Sequence, residues 1–218
     1  MKFQATENYS SMVASVMLSE IILLTGEVEA PYLSDMLRTH NPTLNIVHVC
    51  TIDQLSTACT TTLSDGNTRR LIAFSTPIIV PQKILKTLHG HAYNFHPGPP
   101  TYPGTHPASF AIYEQATRYG VTVHEMIAQV DAGPIITVEW FDITPDMRFT
   151  DLELHAYKVL VATFSDMAKR LASDSTPLLH SGDIWSGKMS TKREFEHMSK
   201  ITADMDEEEI KRRFRAFG

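Results

Sequence analysis

The chain has 218 residues, 43% hydrophobic and 20% charged, with 19 basic against 25 acidic side chains and a net charge of -6. That length suits one large domain, or one domain with a small appendage. No apolar run approaches a membrane span, the two cysteines, Cys50 and Cys59, make neither a disulfide framework nor a zinc set, and the acidic balance argues against a nucleic-acid-gripping surface.

In chain order, residues 1–18 read as an irregular lead-in without the basic start and long apolar core of a secretory leader, so a cytoplasmic protein is expected. Residues 20–25 (EIILLT) predict a buried strand closed by Gly26. Residues 29–39 place Tyr32, Leu33, Met36 and Leu37 at helical spacing. Residues 44–50 predict a second strand, 52–61 a helix, and 71–75 a third strand. Pro81 suits the opening of a short helix over 82–88, with Gly90 as its stop, and 92–96 (AYNFH) is a fourth strand cut by Pro97. This alternation implies βαβ units, a parallel sheet and right-handed crossovers.

The second half changes character. Residues 106–119 read as a helix, while 121–127 (VTVHEMI) and 134–143 read as strands that pair across a short loop holding Asp131. The longest helix is expected over 150–172, with Thr150 as N-cap and Asp151 and Glu153 at its positive end. Residues 173–190 are polar and turn-rich, and 191–217 reads as one or two short helices. The acids at 204–209 precede the bases at 211–213, an order that complements a helix dipole.

The segment that carries chemistry is 93–104. Asn94 and His96 lie two apart on a strand, so both side chains share one face while Tyr93 and Phe95 turn into packing. In open α/β sheets, ligands bind outside the carboxyl ends of the strands. Beyond the pair lies a loop of prolines and glycines, Gly98, Pro99, Pro100, Thr101, Tyr102, Pro103 and Gly104, with His106 just after it. Such a loop loses little entropy on binding. Asp131 sits in an Asp-Ala-Gly turn, where an aspartate is by itself an ordinary turn residue. His124 falls inside a strand and reads as structural.

The order Asn94-x-His96-Pro97, a Pro/Gly loop, Gly120-Val-Thr-Val-His124-x-Met126, then Asp131-Ala-Gly-Pro-Ile-Ile136 resembles the folate-dependent formyltransferase family. The resemblance runs from about residue 20 to residue 149. It implies a Rossmann-like α/β fold, with a mostly parallel central sheet, an antiparallel hairpin and a short helical C-terminal tail. It further implies an enzyme with Asn94, His96 and Asp131 as catalytic triad, and 10-formyltetrahydrofolate as co-substrate without a metal. By the same resemblance the folate would lie against Ile78, Ile79 and Val80 and against Ile127, Ala128, Gln129 and Val130, and the loop from Gly98 to His106 would meet the acceptor. The implied division is a lead-in at 1–18, a catalytic domain at 19–173 and a mainly helical extension at 174–218.

The chain departs from the family at two places. The turn after the first strand reads Thr25-Gly26-Glu27, where ribonucleotide-binding members have a glycine-rich phosphate loop, and the loop after His96 reads Gly-Pro-Pro-Thr rather than Ser-Leu-Leu-Pro. With the acidic charge and a tail read as helical, these point to a small amine acceptor, a nucleotide-linked amino sugar, rather than to methionyl-tRNA. Hydrolysis of the formyl donor to formate and non-catalytic folate binding are the competing readings. A homodimer is the commonest assembly for enzymes in general.

Overall fold

The computed structural model of the chain describes residues 17–64, 67–88 and 90–218. Most of the expected lead-in falls outside these residues, and positions 17 and 18 already belong to the first strand. The elements follow as β1 (Met17–Leu24), α1 (Ala30–His40), β2 (Asn45–Val49), α2 (Ile52–Thr60), β3 (Asn67–Phe74), α3 (Gln82–Thr87) and β4 (Gly90–His96), then α4 (Pro107–Tyr113), β5 (Arg118–Glu125), β6 (Ile135–Asp142), α5 (Phe149–Ser173), α6 (Lys192–Met198) and α7 (Glu207–Phe217). The strands form one sheet in the order β2-β1-β3-β4-β5-β6. The first four are mutually parallel, and β5 and β6 run antiparallel to their neighbours.

Alternation along each strand sends side chains to two apolar layers. Ile21 and Leu23 of β1, Ile72 and Phe74 of β3, and Tyr93 and Phe95 of β4 share one layer with α1, α4 and α5. Ile22 and Leu24, Leu71 and Ala73, and Ala92 face the other, smaller layer with α2 and α3. In α5, Leu152, Ala156, Leu160, Phe164, Ala168 and Leu171 recur at intervals of three and four and form its buried stripe. Phe164 meets Phe95 at 5.1 Å and Phe74 at 5.7 Å between ring centroids. Full burial of each such ring contributes about 1.5–3 kcal/mol.

Several expected boundaries move, each for a tertiary reason. β3 begins at Asn67, not at 71, because Arg69 and Arg70 are buried in it. Arg69 forms a 2.7 Å ion pair with Glu20 and donates to the carbonyls of Cys59 and Thr61. Arg70 donates to the carbonyls of Arg170, Leu171 and Thr176, binding the sheet to the end of α5. Gly90 does not stop α3, which ends at Thr87; it opens β4, where a Cβ would stand 1.8 Å from the Arg69 carbonyl oxygen. The helix expected over 106–119 is only Pro107–Tyr113. Gln115 turns left-handed there, and Tyr119 is drawn into β5, donating its hydroxyl to the Pro97 carbonyl at 2.9 Å. The N-cap of α5 is Arg148 rather than Thr150, with the Asp151 carboxylate accepting from the Arg148 N–H at 3.0 Å. α7 is capped by Asp206, whose carboxylate accepts from the Glu209 N–H, and its first turn holds Glu207, Glu208 and Glu209.

Candidate active site

β4 ends where its polar face meets β5. Asn94 and His96 point to one side, and the antiparallel register sets Asn94 opposite His124 and His96 opposite Thr122. The β5–β6 loop then returns Asp131 to the same place. Asp131 has φ 42°, a left-handed conformation that aspartate tolerates better than most residues. Two positions later a Cβ on Gly133 would stand 1.8 Å from the Glu125 carbonyl oxygen, so this tight return requires glycine.

The result is a compact polar cluster. Asp131 Oδ2 accepts from the Gly104 N–H at 2.9 Å and lies 3.5 Å from His96 Nδ1. Asp131 Oδ1 lies 3.3 Å from His124 Nε2 and 3.5 Å from Asn94 Nδ2. Asn94 Nδ2 also meets His124 Nε2 at 3.1 Å. Each imidazole has a backbone carbonyl at its other nitrogen: His96 Nε2 is 3.3 Å from Tyr102 O and His124 Nδ1 is 3.0 Å from Glu125 O. A neutral ring can donate to only one of its two oxygen neighbours, whereas an imidazolium donates to both.

Burial is the largest influence on His96 and pushes its pKa below the ordinary 6.5, against the upward pull of the Asp131 charge. Burial also pushes the Asp131 carboxyl up, but His96, His124 and the Gly104 N–H outweigh it and hold the group down at about 2. The two shifts act in different pH ranges. The imidazolium charge that holds Asp131 down is present in acid, and near neutrality the cluster holds a carboxylate beside a neutral His96.

This cluster forms one wall of a cavity of about 560 Å³. Asn94, His96, His124 and Asp131 all line it, with Gly104 and Thr105. The lining also includes Ile78, Ile79 and Val80 from the β3–α3 connection, and Ile127, Ala128, Gln129 and Val130 from the β5–β6 loop. The seven residues expected to meet a folate thus share one cavity with the triad.

The expected substrate loop divides. Gly104 lines the cavity, whereas Gly98, Pro99, Pro100, Thr101, Tyr102 and His106 are not in its lining. Gly98 sits under His96, where a Cβ would come within 2.5 Å of Nε2. Pro99 and Pro100 are buried. Thr101 is exposed, but its carbonyl packs on Gly187. Tyr102 gives its carbonyl to His96 and its hydroxyl to Glu114. His106 stacks on Phe195 at 3.8 Å.

Two contributions escaped sequence reasoning. His124 reads as a strand residue, and only the register against Asn94 brings it to Asp131. The turn-rich stretch after α5 supplies Met189 and Ser190 to the cavity wall, the start of α6 adds Thr191 and Lys192, and the stretch lays Trp185 against the imidazoles, 5.0 Å from His124 and 6.0 Å from His96 between centroids. No local pattern marks either. Among the described residues, no group of three or more His, Cys, Asp or Glu side chains is arranged to hold a metal ion, and no helix is long and apolar enough to cross a membrane.

A formyl transferase family model matches residues 71–163, from β3 through the first half of α5. A methionyl-tRNA formyltransferase of Thermotoga neapolitana is 30% identical over 115 residues, covering 52% of this chain and 34% of that protein. The chain spans about a third of the length of the curated relatives it matches. Among solved structures, a 4-N formyltransferase from Francisella tularensis superposes with a TM-score of 0.70 at 16% identity, covering 91% of this chain and 87% of that one. An N-formyltransferase from Helicobacter canadensis, in complex with folinic acid and dTDP-3-aminofucose, superposes at 0.63 and 15% identity, covering 92% and 81%. At these identities the structural likeness speaks to the fold.

Proposed function

We propose that this chain, which belongs to the folate-dependent formyltransferase family, moves the formyl group of 10-formyltetrahydrofolate onto the amine of a small acceptor. The acceptor class we infer is a nucleotide-linked amino sugar. The observation that carries the reading is one cavity in which Asn94, His96 and Asp131 stand beside the walls at 78–80 and 127–130.

The cavity fits a reduced folate. Ile79 and Ile127 line it with 65% and 43% of their surface exposed, so a planar heterocycle bound there would cover apolar area worth about 25 cal/mol per Å². The backbone of 127–131 can meet the ring's polar edge, as pockets of this kind combine apolar walls with a few placed polar groups. The donor supplies an activated formyl carbon next to the cluster. Asn94 turns its amide toward the formyl oxygen, the 3.5 Å contact to Asp131 being the weaker one that a bound carbonyl replaces. One such donor contributes about 3–4 kcal/mol to a transition state that develops an oxyanion. His96, neutral near pH 7, takes the proton of the attacking amine, and the Asp131 carboxylate stabilises the resulting imidazolium.

The acceptor reading rests on charge and on the relatives. A net charge of -6 suits a small acceptor better than tRNA. The Francisella and Helicobacter proteins that share most of this fold are N-formyltransferases, and the latter was crystallised with an amino-sugar nucleotide. Lys192, on the cavity lining, supplies a cation for a carboxylate or phosphate.

Calorimetric titration with 5-formyltetrahydrofolate, an unreactive relative of the donor, tests the reading. Saturable binding at one site per chain is expected, followed by tetrahydrofolate release when 10-formyltetrahydrofolate is mixed with a panel of amino-sugar nucleotides. Absence of binding at high folate concentration would remove the donor; binding without turnover on any amino sugar would remove the acceptor class alone.

A further inference from the structure

We propose that the segment at 179–191 is a strap closing the back of the imidazole pair, and that Trp185 is the positioning residue in it that keeps water from competing with the acceptor amine. The inference rests on the formyl-transfer reading and deepens it.

Trp185 does not line the cavity. Its indole meets His124 edge-on, at 5.0 Å and 90°, and His96 at 6.0 Å, while the imidazoles themselves border the cavity. His96 and His124 are 5% and 3% exposed. The indole N–H donates to the Gly133 carbonyl at 2.8 Å, which ties the ring to the turn that carries Asp131. Neighbouring Leu179 and Ile184 are each 77% exposed, so Trp185 alone of these large apolar side chains turns inward.

Both ends of the strap are tied down. The Ser181 N–H donates to the Ile135 carbonyl of β6, and His180 meets the Glu125 carboxylate. Further on, the N–H groups of Ser186 and Gly187 donate to the Pro100 carbonyl, Ser190 N–H donates to Pro103 O, and Thr105 N–H donates to Ser190 O. That loop presents the Tyr102 carbonyl to His96 and the Gly104 N–H to Asp131. The strap therefore braces the groups that aim the cluster and covers the side that the ligand does not.

The consequence is a choice of nucleophile. In transfer, an amine nitrogen bonds to the formyl carbon, the bond from that carbon to the folate nitrogen breaks, and one amine proton ends on the folate nitrogen. In hydrolysis, a water oxygen forms the new bond instead, the same carbon–nitrogen bond breaks, one water proton goes to the folate nitrogen and the other leaves as formic acid ionises to formate. Excluding water from the site selects the first course.

The test compares Trp185→Ala and Trp185→Leu, which open the strap, with Trp185→Phe, which keeps a ring edge. Formate release from 10-formyltetrahydrofolate without any amine, affinity for 5-formyltetrahydrofolate, and NMR titration of the imidazoles are measured on each. The Ala and Leu variants should bind the folate as wild type does yet release formate about tenfold faster, with the His96 midpoint moving up towards 6.5 as its burial is lost. Trp185→Phe keeps a ring edge but loses the N–H bond to Gly133, so it should fall between wild type and the Ala variant in formate release and in the His96 midpoint while binding the folate as wild type does. If Ala fails to fold, Leu decides. Unchanged formate release with an unchanged His96 midpoint in a folded variant would overturn the strap. Should wild type bind no folate, the donor reading fails by itself and the midpoint decides: a rise upholds the seal, and no rise rejects it.

Discussion

Asp131 ties four groups together from a left-handed backbone position: His96, His124, Asn94 and the Gly104 N–H. Replacing it with asparagine keeps the size and the turn but removes the charge that stabilises an imidazolium. Asp131→Asn and His96→Ala are each expected to lower turnover by about 10²–10⁴-fold, the usual contribution of a placed acid–base group. Circular dichroism should show folding intact, and near wild-type rates in either variant would remove that residue from the chemistry. The His96 imidazole should titrate below 6.5, since burial is its largest influence. Because the Asp131 charge pulls that value up, Asp131→Asn should move the NMR midpoint lower still; a rise would mean that the carboxylate is not felt at His96. His124 shares the carboxylate with His96, at 3.3 Å and 3.5 Å from its two oxygens.

At the scale of elements, the site depends on where three connections end rather than on the strands alone. The loop after β4 meets the strap at Gly104, which has φ 99° and would carry its Cβ 2.2 Å from the Ser190 carbonyl oxygen. The same residue's N–H holds Asp131. Gly104→Ala should therefore cost about 1–3 kcal/mol through backbone strain and should also lower turnover by displacing the carboxylate. Thermal melts and kinetics on the one variant separate this from simple destabilisation, since turnover should stay low at temperatures where the variant is fully folded. α5 holds these connections to the sheet: Phe164 fills the gap between Phe74 and Phe95, and Arg70 ties the last turn of the helix to β3.

Across the whole molecule, the buried cluster couples stability to pH. His96 has a lowered pKa in the folded chain, so the unfolded chain binds its proton first, and stability declines as pH falls below 6.5. Asp131 adds a second loss lower down. Its folded pKa of about 2 lies below the ordinary 3.8, so its contribution is complete above 3.8 and is lost as pH falls towards 2. For a shift of that size the loss is about 2–3 kcal/mol. Calorimetric melts should show two acid limbs, and Asp131→Asn should flatten the lower one; a lower limb unaltered in that variant would place the loss elsewhere. The cavity is lined by the apolar side chains of Ile78, Ile79, Val80 and Ile127 together with the polar groups of Asn94, His96, His124 and Asp131.

The α/β alternation, the antiparallel hairpin and the shared face of Asn94 and His96 were legible because they are local properties: a period of two along a strand, a helical period in α5, a proline or glycine where a strand must end. That Asp131 and residues 78–80 and 127–130 belong with Asn94 and His96 was expected from the order of motifs rather than from any local pattern, and the fold brings them to one cavity. Other features could not be read along the chain. Arg69 and Arg70 hide the first half of β3, because a buried arginine is tolerable only with carbonyl and carboxylate partners that lie far away in sequence. The end of α4 is set by what Tyr119 reaches across the fold. His124 enters the site through its register against Asn94, and Trp185 through a crossing segment with no periodicity of its own. Sequence by itself determined the layers and the residue types at one strand end; tertiary structure decided which side chains converge there, because convergence depends on register and long-range contacts that the spacing of residues along one chain does not encode.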